Sequence, residues 1–214
     1  MFLDRKDAGE KLSIELGKFK DENPIVLAIP RGGIVTAYET IKRFGFQWDL
    51  IIPRKIGAPH NKEIAIGAIS LDGTYLLNEE FIDILKISHE YIEKESFEQI
   101  EEIKRRLVKY KGNENFPDVK NKTVIIIDDG IATGFTIQAA INSIKKHDPQ
   151  KIILAVPVAP QDTISQLGKI VDEVICLLIP NEFYAVGLHY KNFDQTTDEE
   201  VFGIIRELKK IQFI

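Results

Sequence analysis

The chain has 214 residues, of which 44% are hydrophobic and 29% are charged, and these fractions are typical of a folded globular protein rather than a disordered one. Its net charge of −5 argues against a broad nucleic-acid-binding surface, although a local basic pocket for a small anion is compatible with it. No apolar run approaches the roughly 20 residues needed to cross a membrane. The charged start of the chain lacks the apolar core of a secretory signal, so we expect a cytoplasmic protein.

The first part of the chain predicts a helix followed by two buried strands. Apolar residues at helical spacing favour a helix over residues 7–20. The apolar run "PIVLAIP" then predicts a strand buried on both faces, which ends in the tight loop "RGG" at residues 31–33. The next helix is expected to stop at Gly45, and "WDLIIPRK" (48–55) predicts a second buried strand ending in a basic pair.

The middle of the chain interrupts this alternation. Residues 56–63 combine Gly, Pro and Asn with charged side chains, which is typical of a mobile surface loop. Residues 72–118 are predicted to form a mainly helical insertion, in which Asn78 and Ser88 cap two consecutive helices and Gly112 ends the second. An apolar stripe on this segment favours a packing face. The stripe consists of Ile92, Phe97, Ile100, Ile103, Leu107 and Tyr110.

The last part of the chain returns to buried strands alternating with helices. Strands are predicted at 123–130, 151–160 and 173–180, with helices at 136–146 and 162–169. The whole pattern predicts an α/β fold built on a mostly parallel, doubly wound sheet of about five strands. We expect one domain over residues 1–214, with residues 181–214 forming a small C-terminal hood. Cys176 is expected to be a buried, inert thiol, and the four histidines show no metal-ligand spacing.

Three strand ends carry unusual chemistry, namely "PRGG", "PRK" and "DDGIATGFT". Ligands of open parallel sheets bind beyond the carboxyl ends of the strands, so these segments are expected to converge. The loop after the two aspartates offers glycines, threonine hydroxyls and a helix N-terminus, which together suit a phosphate. It lacks the lysine of a Walker A loop and the spacing of a dinucleotide fingerprint. Asp128 and Asp129 could accept hydrogen bonds from vicinal hydroxyls, as a ribose would offer.

The stretch "VIIIDDGIATGFT" (124–136) resembles the phosphoribosyl-pyrophosphate (PRPP) binding motif of the type I phosphoribosyltransferases. That motif has apolar residues, two acidic residues, a short variable stretch, then Thr-Gly and a final Thr or Ser. The segments "FLDRKDAG", "LAIPRGGIVTAYE", "PRKIGAPHNKEIAIGAI" and "FYAVGLHYKNFDQTTDEEV" are similar to a less-characterised subgroup of the same family. The resemblance therefore covers nearly the whole chain.

This resemblance implies roles for the residues at the first and third strand ends. Asp128 and Asp129 would contact the ribose hydroxyls, and residues 31–33 would bind the pyrophosphate. Mg²⁺ would arrive bound to the diphosphate, with help from the two aspartates. The pyrophosphate-binding residues are Arg31, Gly32 and Gly33. The residues expected to hold the 5-phosphate are Gly130, Ile131, Ala132, Thr133, Gly134, Phe135 and Thr136.

The resemblance also implies catalytic and base-binding residues. Arg54, Lys55 and Glu63 lie where the family's flexible catalytic loop begins, and closure of that loop would exclude water. Phe183 or Tyr184 in the hood could stack on a planar base, although either could equally be a core aromatic residue. The family further suggests a homodimer.

The implied reaction moves the 5-phosphoribosyl group of PRPP to a nitrogen of a base or similar acceptor and releases pyrophosphate. In 6-oxopurine enzymes the residue before Thr-Gly is typically an aspartate that handles the proton of the base, but here it is Ala132. This departure argues against a hypoxanthine or guanine enzyme that uses that mechanism. Two alternatives stay open: a regulatory module that binds PRPP or a nucleotide without turnover, and hydrolysis or phosphorolysis of nucleotides.

Overall fold

The computed structural model describes residues 1–211, over which the chain forms eight β-strands, seven α-helices and two short 3₁₀ helices. The strands are β1 (Ile25–Ala28), β2 (Gln47–Leu50), β3 (Arg54–Gly57), β4 (Ala65–Ile69), β5 (Tyr75–Leu77), β6 (Thr123–Ile127), β7 (Lys151–Val158) and β8 (Glu173–Leu178). The α-helices are α1 (Arg5–Leu16), α2 (Gly32–Phe44), α3 (Glu79–Leu85), α4 (His89–Lys111), α5 (Phe135–Lys145), α6 (Gln161–Leu167) and α7 (Asp198–Ile211). The 3₁₀ helices span Gly17–Glu22 and Val186–His189.

Five strands form one parallel sheet in the order β2-β1-β6-β7-β8. Every residue of β1 and β6 is buried, as continuous Ile, Val and Leu runs require when a strand is covered on both faces. The predicted α/β fold with a mostly parallel sheet of about five strands is confirmed. Among residues 1–211, none of the helices is both long enough and apolar enough to cross a membrane.

The strand order reverses between β1 and β6. The chain leaves β1 for β2 on one side and later enters β6 on the other side, so β1 and β6 are neighbours. Ala28 pairs with Ile127, which means that the two strands end level with each other. Connections that diverge from two adjacent strand ends leave a crevice there, and ligands of open parallel sheets bind in such a crevice.

Contacts between residues divide the chain into two compact units. The first contains Met1–Ile51, Pro117–Thr133 and the described residues from Asp148 onward, and therefore the whole parallel sheet. Within it, α1 packs against α2 and against β7 and β8, and α2 packs against α7. The second unit contains Ile52–Phe116 and Gly134–His147. The expected division into one domain, a helical insertion at 72–118 and a hood at 181–214 stays a prediction.

The second unit contains a three-stranded antiparallel sheet, β3-β4-β5, which the sequence patterns did not predict. Helices α4 and α5 pack against it. The predicted strand 48–55 is wrong in its second half, because β2 ends at Leu50 and Arg54 already belongs to β3. Pro53 lies between the two strands and cannot donate a ladder hydrogen bond. The predicted loop is also shorter, because Ile56 and Gly57 are strand residues.

The predicted helix ends in the second unit are confirmed. Asn78 and Ser88 each accept a hydrogen bond at their side chain from the backbone N–H three residues later, as N-cap residues do. Gly112 ends α4 in the left-handed conformation that glycine adopts without strain. In the first unit, Gly45 ends α2 in the same left-handed conformation, as the sequence predicted.

The predicted apolar stripe on α4 is correct except at one position. Ile92, Ile103, Leu107 and Tyr110 are buried, whereas Phe97 is 66% exposed. Phe97 follows Ile92 by five residues, which places it roughly 140° around the helix from that residue. The stripe is therefore narrower than the sequence pattern suggested.

Cys176 is half-buried rather than fully buried, because β8 is an edge strand of the parallel sheet. Partial burial raises the pKa of its thiol. A raised pKa leaves little thiolate at neutral pH, so the expectation that this cysteine is unreactive remains reasonable.

Candidate functional site

The loop after β1 and the loop after β6 lie against each other. The N–H of Ile29 donates to the carbonyl oxygen of Ile127 over 3.0 Å, which extends the strand pairing by one residue. A β-carbon on Gly33 would lie 2.7 Å from that same carbonyl oxygen and 3.0 Å from the Cα of Asp128. Only glycine permits this approach of two backbones. The predicted convergence of "PRGG" and "DDG" is therefore observed within the first unit.

Gly32 lies against Asp129, as Gly33 lies against Asp128. A β-carbon on it would lie 1.9 Å from Oδ2 of Asp129 and 2.8 Å from Nε of Arg5. Arg31 precedes α2, its side chain is one-third exposed, and its Nη1 lies 3.9 Å from the carboxylate of Asp198. The Pro30–Arg31 peptide bond is cis. The predicted pyrophosphate loop thus has a side chain partly open to solvent and two glycines packed against the carboxylate pair.

Asp128 and Asp129 differ in their surroundings although they are adjacent. Oδ1 of Asp128 accepts a hydrogen bond from the backbone N–H of Asp129 over 2.8 Å. Burial, together with the nearby charge of Asp129, raises the pKa of the Asp128 carboxyl well above its usual range. Asp129 instead forms an ion pair with Arg5. The protein therefore supplies a positive partner to one of the two carboxylates directly.

Arg5, in the first turn of α1, is a residue of the site that the sequence patterns missed. Its Nε donates to Oδ2 of Asp129 over 2.6 Å, and its Nη1 donates to the backbone carbonyl of Asp194 over 2.7 Å. It also lines a cavity of about 300 Å³ in this unit. Arg5, the ion-pair partner of Asp129, therefore borders a space that can admit a small molecule.

A second missed residue is Tyr190, which follows the second 3₁₀ helix. Its hydroxyl donates to the backbone carbonyl of Asp129 over 2.5 Å, and its ring packs on the rings of Phe2 and Phe193. The backbone of residues 189–192 pairs with residues 2–3, which holds this segment beside α1. Arg5 and Tyr190 lie in the family-like stretches "FLDRKDAG" and "FYAVGLHYKNFDQTTDEEV", but no periodicity or motif spacing marks them individually.

The predicted phosphate loop covers residues 130–136. The part of it that belongs to the first unit is anchored at three points. A β-carbon on Gly130 would lie 2.5 Å from the side chain of Val186. Ile131 is buried, and its N–H donates to the carbonyl of Val158 over 2.9 Å. The carbonyl of Ala132 accepts a hydrogen bond from the hydroxyl of Thr163 over 2.7 Å. Because the N–H of Ile131 is engaged, it is not available to donate to a phosphate.

The remaining residues of the loop belong to the second unit, except Thr133, which is the last residue of the segment in the first. Thr133 is exposed. Gly134 has a φ of 76°, in the left-handed region, and directly precedes α5. Phe135 and Thr136 form the first turn of α5, where backbone N–H groups have no partner within a helix. This arrangement is the one that commonly binds phosphate.

The residues predicted to be catalytic lie in the second unit. Arg54 is half-buried in β3, its Nε donates to the side chain of Gln99, and its Nη1 lies 4.0 Å from Glu102. Burial lowers the pKa of Arg54. Lys55 is exposed on the same strand, and Glu63 is exposed in the loop that follows. Lys55 and Glu63 are therefore open to solvent, whereas the guanidinium of Arg54 contacts α4.

The loop between β3 and β4 is closed by hydrogen bonds. The N–H of Ala58 donates to the carbonyl of Ile64 over 2.9 Å, so the two strands continue as a hairpin. Lys62 in the loop pairs with Glu95, a buried carboxylate of α4, and also donates to the hydroxyl of Tyr91. Any opening of this loop must break the pair between Lys62 and Glu95.

The two candidate base-binding residues differ sharply in exposure. Tyr184 is 79% exposed, whereas Phe183 is partly buried against the cluster of Phe2, Ala8, Val158 and Tyr190. The ring of Phe183 also stacks on His189, with 5.4 Å between centroids. Tyr184 is thus free to meet a ligand, and Phe183 packs mainly against the protein.

Among the described residues, no group of three or more His, Cys, Asp and Glu side chains could hold a metal ion by itself. The two adjacent carboxylates of Asp128 and Asp129 are nevertheless hard oxygen donors. Mg²⁺ commonly takes one or two carboxylates and completes its shell with phosphate oxygens and water. The residues present therefore fit a magnesium ion that arrives with a diphosphate.

Residues 3–192 match the family described as the phosphoribosyl transferase domain. The chain belongs to the phosphoribosyltransferase family. The resemblance drawn from "VIIIDDGIATGFT" to the type I phosphoribosyltransferases is thereby confirmed, and the acidic pair and the "PRGG" loop are features of a chain in this family.

Two proteins of Mycobacterium tuberculosis, each named "Putative phosphoribosyl transferase", are 35% identical to this chain over 205 residues. The alignment covers 96% of this chain but 46% of each relative, so the chain spans about half the length of the curated relatives it matches. A crystal structure of a Thermus thermophilus protein is 35% identical, with a TM-score of 0.80, and covers 97% of this chain and 98% of its own.

The same fold occurs in a hypothetical protein of Neisseria gonorrhoeae whose crystal structure contains ppGpp. That protein is 10% identical, with a TM-score of 0.51, and the superposition covers 100% of this chain and 97% of the other chain. At this identity the likeness concerns the fold alone.

Proposed function

We propose that this protein binds PRPP at the carboxyl ends of β1 and β6 and transfers its 5-phosphoribosyl group to a nitrogen of a base or similar acceptor. The observation that carries the proposal is the direct packing of the Gly32-Gly33 loop on Asp128 and Asp129 where the strand order reverses. A loop suited to pyrophosphate and a carboxylate pair suited to vicinal hydroxyls then lie side by side, as PRPP requires.

The ribose is bound through the two aspartates. A carboxylate has about four acceptor positions, so one protein contact at each carboxylate leaves capacity for a ribose hydroxyl. The structural support is that Asp128 is oriented by the N–H of Asp129, and Asp129 is oriented by Arg5. Both side chains are therefore held before the sugar arrives, which lowers the ordering cost of binding.

The pyrophosphate is bound by Arg31 and by the start of α2. The guanidinium of Arg31 is a forked donor that suits phosphate oxygens, and its side chain is partly exposed. The N–H of Gly33 already donates to the carbonyl of Ile29 over 3.0 Å, so Gly32 is the backbone donor proposed at the start of α2. The 5-phosphate is bound by the donors after Ile131, that is by residues 132–136.

In the reaction, the bond between the anomeric carbon and the diphosphate oxygen breaks, and a bond forms between that carbon and the acceptor nitrogen. The electron pair leaves with the diphosphate, so positive charge develops on the ribose and negative charge on the leaving group, and the proton of the acceptor nitrogen passes to the diphosphate or to water. The donors of Arg31 and Gly32 stabilise the leaving diphosphate, and the aspartates fix the ring and face its positive charge. Asp128 and Asp129 would hold Mg²⁺, which supplies charge neutralisation of the diphosphate when bound.

The proposed catalytic residues lie in β3 and in the loop between β3 and β4, and we propose that they act when this loop moves. They are Arg54, Lys55 and Glu63. This loop carries Lys62, whose pairing with Glu95 must break if the loop moves over a substrate. Such a movement would exclude water, which otherwise hydrolyses the activated sugar. The exposure of Lys55 and Glu63 supports a role that begins when substrate is bound.

The acceptor is proposed to be a base or amine that does not need a carboxylate before Thr-Gly. Ala132 has no group to take a proton, and its carbonyl is already engaged by Thr163. This argues against the proton-handling mechanism of 6-oxopurine enzymes. Tyr184 is the better placed of the two aromatic candidates to stack on a planar acceptor, because it is exposed.

The proposal is tested by mixing purified protein with Mg²⁺ and PRPP and measuring pyrophosphate release with a panel of bases and amines. Release that depends on one acceptor supports the transferase. Binding of PRPP by calorimetry without release on any acceptor would favour a regulatory module, and absence of PRPP binding would overturn the proposal. The homodimer suggested by the family and the cytoplasmic location expected from the sequence are further proposals, which light scattering and cell fractionation can test.

A further inference from the structure

The contact between Arg5 and Asp129 links two segments that lie 124 residues apart in the sequence. Arg5 approaches Asp129 with Nε, at 2.6 Å from Oδ2, and the two side chains are 12% and 16% exposed. The Coulomb attraction between two charges shielded from water in this way is stronger than that between charges on the surface. The conformation of the Asp129 side chain therefore depends on where Arg5 lies.

Arg5 itself is held in place by two further contacts. Its Nη1 donates to the backbone carbonyl of Asp194 over 2.7 Å. Its guanidinium lies over the ring of Phe193, with 3.8 Å between Cζ and the ring centroid, which is a cation–π contact. A planar guanidinium that is stacked on one face and bonded at two edges has a single orientation. Lysine could supply the charge but not these directions.

We propose that Arg5 is a positioning residue for ribose recognition, which fixes Oδ2 of Asp129 so that Oδ1 faces the ribose hydroxyl. The inference rests on the proposed function, because it takes Asp129 to bind the ribose. Its positive charge also offsets the repulsion between the two adjacent carboxylates, so both can face the sugar. The segment after Tyr190 shares in this positioning, because its residues Phe193 and Asp194 contact the guanidinium of Arg5.

The test compares the affinities of ribose 5-phosphate and its 2-deoxy and 3-deoxy analogues, measured by calorimetry on the full chain. A site that hydrogen-bonds a hydroxyl rejects the analogue that lacks it, so the unaltered protein should prefer ribose 5-phosphate over at least one analogue by about 10-fold or more. Arg5→Gln should reduce that preference to about 3-fold or less, and Arg5→Lys should restore part of it. Lys11→Gln, which removes a positive charge from the same helix, should leave it unchanged.

The outcomes separate this inference from the proposed function. If the unaltered protein binds neither PRPP nor ribose 5-phosphate, the proposed function fails. If it binds both and Arg5→Gln keeps the full preference for ribose, Arg5 is only a structural link and the inference is wrong. Equal affinity of the unaltered protein for ribose and both deoxy sugars also overturns it. Should Arg5→Gln fail to fold, Arg5→Lys decides, because an unchanged preference in that variant contradicts a directional role.

Discussion

Gly32 packs directly on the carboxylate of Asp129, and a β-carbon at position 32 would come within 1.9 Å of Oδ2. That oxygen cannot simply turn aside, because it also accepts the hydrogen bond from Nε of Arg5. The loop after β1 and the carboxylate after β6 are therefore mutually dependent. A change in either one must alter the other.

The substitution Gly32→Ala should reduce PRPP affinity by about 10-fold or more. The added methyl group displaces Asp129 or Arg5, and overpacking of this kind typically costs about 1–3 kcal/mol of stability. Calorimetry with PRPP and Mg²⁺ measures the affinity, and urea denaturation measures the stability. The matched control is Gly203→Ala in α7, where a β-carbon meets no atom within 4 Å. It should be neutral or stabilising by up to about 1 kcal/mol. Unchanged PRPP affinity in Gly32→Ala would contradict the proposed site.

The substitution Asp128→Asn should abolish PRPP binding and yet stabilise the folded chain at neutral pH. Burial and the charge of Asp129 raise the pKa of Asp128, so the folded chain binds more protons than the unfolded chain at pH values above about 4. The free energy of unfolding then falls as the pH rises through that window. Asparagine carries no charge there, so we expect a gain of about 1 kcal/mol at pH 8.

Urea denaturation of Asp128→Asn at several pH values checks this expectation. The gain should shrink as the pH falls toward about 4, since Asp128 of the unaltered protein is then neutral in the folded chain and increasingly neutral in the unfolded chain. Asp21→Asn, which removes an exposed carboxylate, should change stability by less than about 0.5 kcal/mol at every pH. A loss of stability at pH 8 in Asp128→Asn would show that the buried charge is better compensated than its surroundings suggest.

The parallel sheet could be predicted from the sequence because its strands are fully buried and read as continuous apolar runs, as in β6. The antiparallel sheet could not, because β3 continues the apolar run of β2 with only Pro53 as a signal, and β5 has three residues. The acidic pair and the glycine loop were found because they directly follow buried strands. Arg5 and Tyr190 were not found, because each contacts Asp129 across more than 60 residues of sequence and no local pattern marks such a contact.

Replacement of Tyr190 by Phe should destabilise the protein by about 1–3 kcal/mol, because it removes the donor that satisfies the partly buried carbonyl of Asp129. The ring contacts with Phe2 and Phe193 should survive, since phenylalanine keeps the aromatic face. Thermal denaturation measures the loss. Tyr75→Phe, which changes an exposed tyrosine, is the control and should lie within about 0.5 kcal/mol of the unaltered protein. Equal stability of the two variants would mean that the carbonyl finds another donor.

The two aromatic residues proposed for base binding should respond differently to alanine. Tyr184→Ala should leave stability unchanged within about 0.5 kcal/mol, because its side chain is 79% exposed, and should raise the KM for the acceptor. Phe183→Ala should cost about 2–4 kcal/mol, because the ring packs against the cluster containing Phe2 and Tyr190. Denaturation and steady-state kinetics together distinguish the two. An unchanged KM in Tyr184→Ala would remove it as a stacking residue.

Glu102 on α4 should make the second unit sensitive to acid. Hydrogen bonds from Arg105 and Arg106 lower the pKa of its carboxyl to about 2. A lowered pKa in the folded state means that the contribution to stability is complete above the unfolded pKa of about 4.5 and is lost as the pH falls toward about 2. Because the carboxylate is 25% exposed, we expect about 1 kcal/mol after solvent screening rather than the full value of the shift.

Urea denaturation of Glu102→Gln at pH 7 and pH 3 tests whether the contribution of Glu102 to stability falls as the pH falls. The variant should be less stable than the unaltered protein at pH 7, and the difference should be smaller at pH 3, where the carboxylate of the unfolded chain is already largely protonated. Glu101→Gln is the matched control, since Glu101 pairs with the neighbouring Lys104 at the surface and should leave the denaturation midpoint unchanged at both pH values. An equal loss at pH 7 and pH 3 would mean that Glu102 acts through packing, because a packing contribution does not depend on ionisation.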